Sequence, residues 1–121
     1  MTGGTGSYRY MAPEVYRRES YDKSVDVYSF ALIVHEMFQG GPSNIEEPPE
    51  HVADKRAYEH SRPPLSSCLY PEPVKMLLKR CWHRNPDVRP KFEDIITELE
   101  YVLEIEQRKL DGGLCRTCGI L

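Results

Sequence analysis

Three short stretches carry residue types able to do chemistry. Gly3, Gly4 and Gly6 sit near the start in the run MTGGTGS, and clustered glycines let backbone N–H groups approach a phosphate. That use requires G-x-G-x-x-G between a strand and a helix, or GxxxxGK[ST]. Neither exists in the chain, so residues 1 to 12 read as loop. Cys115 and Cys118 have the spacing of half a zinc site, whose other half would have to be Cys68 and Cys81. Those two are distant in sequence and Cys81 lies on an apolar stripe, which argues against a metal centre. The final four residues, Cys118-Gly119-Ile120-Leu121, fit the C-a-a-X form ending in Leu that directs geranylgeranylation. A single prenyl chain anchors only weakly, and Arg108, Lys109 and Arg116 add little basic help.

The bulk numbers narrow the classes further. With 121 residues, 40% hydrophobic and 29% charged, the chain has room for one globular domain. Its net charge of −3 argues against nucleic acid or an anionic membrane as main partner, since both select a basic surface. No charged stretch followed by an apolar one opens the chain, so reduced thiols and a cytoplasmic setting are expected.

The elements that would position any site are helices. Val25 to Phe38, VDVYSFALIVHEMF, is clearly polar only at Asp26, Ser29, His35 and Glu36, so every helical face carries apolar side chains. That pattern predicts a central helix over about 23–39, enclosed by others. Asp22 and Ser24 are its candidate caps, and Gly40, Gly41 and Pro42 end it. It is too short and too charged at its ends to cross a bilayer, which takes about 20 apolar residues. Pro13 to Tyr16 suits a short helical turn with proline at its start. Residues 47–58 form a modest helix, weakly apolar at Val52, Ala53 and Ala57, with an acidic exposed face. Ser61 to Leu65, with Pro63 and Pro64 in succession, reads as a structural loop in preference to an SH3-type ligand. Val74, Leu77, Leu78 and Cys81 make an i, i+3, i+4, i+7 stripe on a helix over 72–82. Phe92, Ile95, Ile96, Leu99 and Leu103 do the same on a helix over 91–108. Both stripes are expected to pack on the central helix, giving an all-α fold with no strand and no repeat.

Three landmarks then align with a known pattern. Gly6-Ser7-Tyr8-Arg9-Tyr10-Met11-Ala12-Pro13-Glu14 resembles the end of a protein kinase activation segment closing in APE. Asp26-Val27-Tyr28-Ser29-Phe30 resembles the D-V-W-S-F start of that family's central helix, with Tyr in place of Trp. Cys81-Trp82 with Arg89-Pro90 resembles the CW, six residues, RP signature of the tyrosine-kinase and tyrosine-kinase-like groups. Their order across residues 6 to 100 makes the chain similar to the C-terminal half of a kinase C-lobe, nearest the plant Raf-like kinases that resemble integrin-linked kinases. The resemblance implies an activation-segment end at 1–14, a partial lobe at 15–108 and a flexible tail at 109–121.

The resemblance also implies roles. Glu14 pairs with Arg89, and Asp26 orients the catalytic-loop backbone. Ser7 and Tyr10 lie next to the substrate, with Ser7 pointing to Ser/Thr rather than Tyr phosphorylation in the parent. Thr2, Thr5 and Ser7 are candidate phosphorylation sites, because about −1.5 to −2 of added charge can order a loop against arginines. Lys91 stands where similar sequences have a Thr cap, which predicts fraying at the start of the last helix.

Four parts of a kinase are missing: the Gly-rich loop, the strand-three Lys with its Glu, the catalytic Asp of H-R-D-L-x-x-x-N and the DFG Asp. His83-Arg84-Asn85 imitates the catalytic loop but has Pro90 where the metal-binding Asn belongs. Asp111-Gly112-Gly113 imitates DFG but follows the last helix. No cofactor is expected on this chain, while ATP and magnesium belong to the parent, and its partners would be a protein substrate or another kinase. The 121-residue chain alone is expected to be inactive; a catalytically inactive interaction module is the alternative function. Because the helix before the central one and the catalytic loop are absent, part of the central helix is expected to lie open, making the chain marginally stable and aggregation-prone.

Overall fold

The computed structural model describes residues 8–41, 46–65 and 70–111. Within them lie five helices, α1 (Pro13–Tyr16), α2 (Ser24–Gln39), α3 (Pro49–Tyr58), α4 (Glu72–Cys81) and α5 (Phe92–Asp111), plus a 3₁₀ turn at Pro86–Val88. No strand occurs among the described residues. The all-α expectation holds, with α2 to α4 beginning and ending within two residues of the predicted spans. The last helix runs three residues into the span assigned to the tail, because nothing breaks it before Gly112. Thr2, Thr5, Ser7, Cys68, Cys115 and Cys118 lie outside the described residues.

Helix α2 is the axis of the core. Val27, Tyr28, Ala31, Leu32 and His35 are buried on it and meet Val74, Leu77, Leu78 and Cys81 of α4 with Trp82 and Ile95. Asp22 caps its start by accepting from the Ser24 N–H at 2.9 Å, whereas Ser24, the other predicted cap, is the first helical residue. Gly40 closes it with φ of 92°, a left-handed conformation strained for any residue with a Cβ, and its N–H donates to Glu36 O at 2.8 Å. Enclosure is incomplete: Asp26, Ile33 and Met37, spaced along one side, are exposed, which leaves the helix an open face.

The stripe expected on α5 needs correcting. Ile95 and Val102 are its buried residues, with Leu99 half-buried, while Phe92, Ile96 and Leu103 are exposed. Its main neighbour is α4, and it reaches α2 through Phe92, whose ring meets Phe30 edge-on at 5.5 Å. The error came from the sequence offering two apolar edges where one helix, α4, covers only one. Lys91 does occupy the cap position of α5, its carbonyl accepting from Ile95 N–H at 3.0 Å, and Glu93 and Asp94 place negative charge in the first turn. The loop at 61–65 is structural. Pro63 is buried, Pro64 O lies 3.0 Å from His35 Nε2, and Arg62 donates to Trp82 O at 2.8 Å.

Candidate substrate-facing segment and its anchors

Residues 8 to 17 are held chiefly by side chains of two helices, α2 and α3. Arg9 donates to Glu47 O at 2.9 Å, and its own carbonyl accepts from buried Arg56 of α3. The Tyr10 hydroxyl donates to Glu36 Oε1 at 3.0 Å, while Ser29 Oγ donates to Tyr10 O at 2.6 Å, so α2 fixes both ends of this residue. Tyr8, Tyr16 and Tyr58 form an edge-to-face ladder with centroids 6.1 and 6.2 Å apart. Tyr16 donates to Asp54 Oδ2 at 3.0 Å, and loss of solvent followed by that anionic acceptor pushes its phenol up to about 12. Arg17 donates to Ala57 O at 2.7 Å. Polar groups on nearly every turn of this segment are thus tied to α2 or α3, which leaves little freedom in where its backbone runs.

Beneath the segment lies a buried charge cluster. Pro13 starts α1 and turns Glu14 inward, where it meets Arg89 in a two-pronged pair of 2.7 and 3.0 Å. Their side chains are 4% and 0% exposed. Arg89 also donates to His83 O at 2.9 Å and Ser24 O at 3.3 Å, so its guanidinium joins α1, the start of α2 and the loop after α4. Two guanidiniums lie over the Tyr28 ring, Arg62 at 5.2 Å and Arg89 at 5.1 Å from its centroid. Its buried hydroxyl has no hydrogen-bond partner among the described residues, and burial raises its pKa. Burial lowers the pKa of Arg56 and of Arg62, whose charges are met mainly by backbone carbonyls.

The structure therefore brings Glu14 and Arg89 together, and puts Tyr10 against α2. It leaves Asp26 exposed in the first turn of α2, beside the open face. Sequence reasoning missed Arg56, Arg62, Ser29 and Glu36 as anchors. For Arg56 a signal existed: it stands four residues after Val52 and three after Ala53, on the buried edge of α3. Arg62 lies in an irregular loop, where no periodicity could mark it.

His83-Arg84-Asn85 does turn chemistry. His83 Nδ1 accepts from Asn85 N–H at 3.0 Å, and Asn85 Oδ1 caps the 3₁₀ turn through Asp87 N–H at 2.9 Å. Among the described residues no three His, Cys, Asp or Glu side chains group so as to hold a metal ion, and no helix is long and apolar enough to cross a membrane.

Comparison with known proteins points one way. The sequence profile of the family described as protein tyrosine and serine/threonine kinase matches residues 1–99. The serine/threonine-protein kinase VIK of Arabidopsis thaliana is 43% identical over 104 residues, covering 86% of this chain and 24% of that protein. Integrin-linked protein kinase 1 from the same plant is 40% identical over 96 residues, 78% of this chain and 20% of its own length. The serine/threonine/tyrosine-protein kinase HT1, also from Arabidopsis, is 38% identical over 104 residues, 81% and 25% respectively. The chain thus spans about a quarter or less of these relatives.

Proposed function

Because the chain belongs to the protein tyrosine and serine/threonine kinase family, we propose that it serves as the substrate-holding base of a Ser/Thr protein kinase whose phosphate-transferring half is supplied by other sequence. The observation that carries this is the Glu14–Arg89 pair, which bolts the segment at 8–17 to the helical base 75 positions away. In this reading Tyr10, held by Glu36 and Ser29, forms part of the surface on which a protein substrate lies, and Ser7 stands next to the accepting hydroxyl. Asp26, exposed at the start of α2, is placed to receive backbone N–H groups of a catalytic loop, and the apolar side chains beside it to receive the helix that precedes such a loop. Thr2, Thr5 and Ser7 would be the positions at which phosphorylation adjusts the segment. A cytoplasmic setting goes with this reading.

The chain's own residues bind and orient; they contribute no nucleotide grip, so nucleotide titration of the 121-residue chain alone should show no binding. The test is the transcript upstream of the Met1 codon. An open frame encoding H-R-D-x-x-x-x-N and DFG supports the proposal. A genuine initiation at Met1, with stable protein in cells, replaces it with a catalytically inactive module that binds kinases or their substrates.

A further inference from the structure

The arginines around Tyr28 are short of negative charge. Arg56 is 5% exposed and Arg62 is half-buried, and Arg62 donates to the Arg56 carbonyl at 3.2 Å, which sets the two close together. With Arg89 they bring three guanidinium charges to bear on Tyr28. All 19 aspartates and glutamates of the chain lie among the described residues, and none of them forms an ion pair with Arg56 or Arg62. Both oxygens of Glu14 are taken by Arg89, and Glu36 accepts from Tyr10. What the two guanidiniums have is backbone oxygen: Arg9 O for Arg56, and the carbonyls of Trp82, Arg56 and Ser61 for Arg62. Carbonyl dipoles offset only part of the cost of burying a full charge, so the cluster keeps an excess of positive charge.

A second observation shows where negative charge belongs. The Tyr28 side chain is fully buried in the same cluster, and its hydroxyl has no hydrogen-bond partner among the described residues. A buried O–H without an acceptor is costly in its own right. The hydroxyl exists because Tyr stands where the kinase pattern has Trp, so the feature belongs to this chain and not to the pattern. Spare N–H groups, spare positive charge and a spare O–H thus converge, and one acceptor carrying negative charge answers all three. A water molecule would satisfy the hydroxyl and leave the charge unmet; a cation is repelled by the arginines. Depth selects a small ligand, since Tyr28 has no exposed surface and Arg56 almost none. A spherical ion suits donors that arrive from several directions.

We propose that a halide ion, chloride in the cell, binds between the Tyr28 hydroxyl and the guanidiniums of Arg56 and Arg62. Through the bond from Arg56 to Arg9 O, it also steadies the segment at 8–17. The test is urea unfolding of the 121-residue chain in sodium chloride and in sodium gluconate at equal ionic strength, gluconate being too large to enter. For an affinity of order 10 mM, about 100 mM chloride should raise the folded-to-unfolded ratio about tenfold over gluconate, and bromide should replace chloride. Tyr28→Phe, which removes the donor and leaves the ring, should cut that gain to about twofold or less. The variant should be the more stable protein in gluconate, with chloride narrowing the difference. Arg56→Met should lose the gain, whereas Lys79→Gln, exposed on α4, should keep all of it. Crystals grown in sodium bromide should show an anomalous peak in contact with the Tyr28 oxygen, a readout that stands even if Arg56→Met fails to fold. Equal stability in chloride and gluconate, a gain that Tyr28→Phe leaves whole, or bromide-grown crystals with no anomalous peak at that oxygen overturns the proposal.

Discussion

Replacing Glu14 with Gln keeps the shape of the side chain and removes its charge. Arg89 would then hold a full positive charge at zero side-chain exposure, with only the His83 and Ser24 carbonyls and one amide oxygen as acceptors. Breaking a buried pair from one side costs about 3–5 kcal/mol, because the remaining ion keeps its desolvation penalty without its counter-charge. Tyr28 stacked on the guanidinium at 5.1 Å offsets a part, so about 3 kcal/mol is the expected loss. Total stability for a domain this size is only about 5–15 kcal/mol, so the variant should lose a large share of it. Urea titration followed by circular dichroism, extrapolated to water, measures this. The single change Arg89→Met should be comparably harmful, whereas Glu14→Gln combined with Arg89→Met should recover at least about 2 kcal/mol relative to the sum of the two. A loss below about 1 kcal/mol for Glu14→Gln, or strict additivity in the double variant, would refute the idea that this pair bolts the segment to the base.

Three further outcomes follow from the same packing. Tyr28→Phe removes a buried hydroxyl that has no partner among the described residues and should raise stability by about 1 kcal/mol, a melting-temperature gain of roughly 3–6 °C; a decrease would mean the hydroxyl is satisfied after all. The hydrogen bonds from Arg80 hold the Glu98 carboxyl below its ordinary range, so their contribution is present above that range and is lost as pH falls through the lowered folded value. With the two side chains 42% and 39% exposed the effect is at most about 1 kcal/mol, and Glu98→Gln should flatten this part of the stability-against-pH curve. Burial pushes the Cys81 thiol up to about 12, so iodoacetamide at pH 8 should leave it unmodified in the native protein and label it once urea unfolds the chain, as read by peptide mass spectrometry.

What the sequence made legible was whatever local periodicity and punctuation control. The near-continuous apolar run before Gly40 marked α2, and prolines and glycines set most helix ends. The partner of Glu14 was reachable only through the kinase resemblance, because nothing local links two residues 75 positions apart. Side choice on α5 was not legible: Ile95 and Ile96 are adjacent and equally apolar, and only the position of α4 decides which is buried. The arginine cluster around Tyr28 was hidden for a different reason. Arginines in a sequence read as surface, and these are tolerated inside because backbone carbonyls of irregular loops accept from them.

Whether this chain supplies the substrate-holding base proposed above is decided by a chimera. The matching segment of the Arabidopsis kinase VIK would be replaced by this chain's, and phosphate transfer to a serine-containing protein substrate measured. The chimera should fold and transfer phosphate, and should lose transfer while remaining folded when Asp26→Ala is introduced. A folded chimera without transfer, or one indifferent to Asp26→Ala, would contradict it.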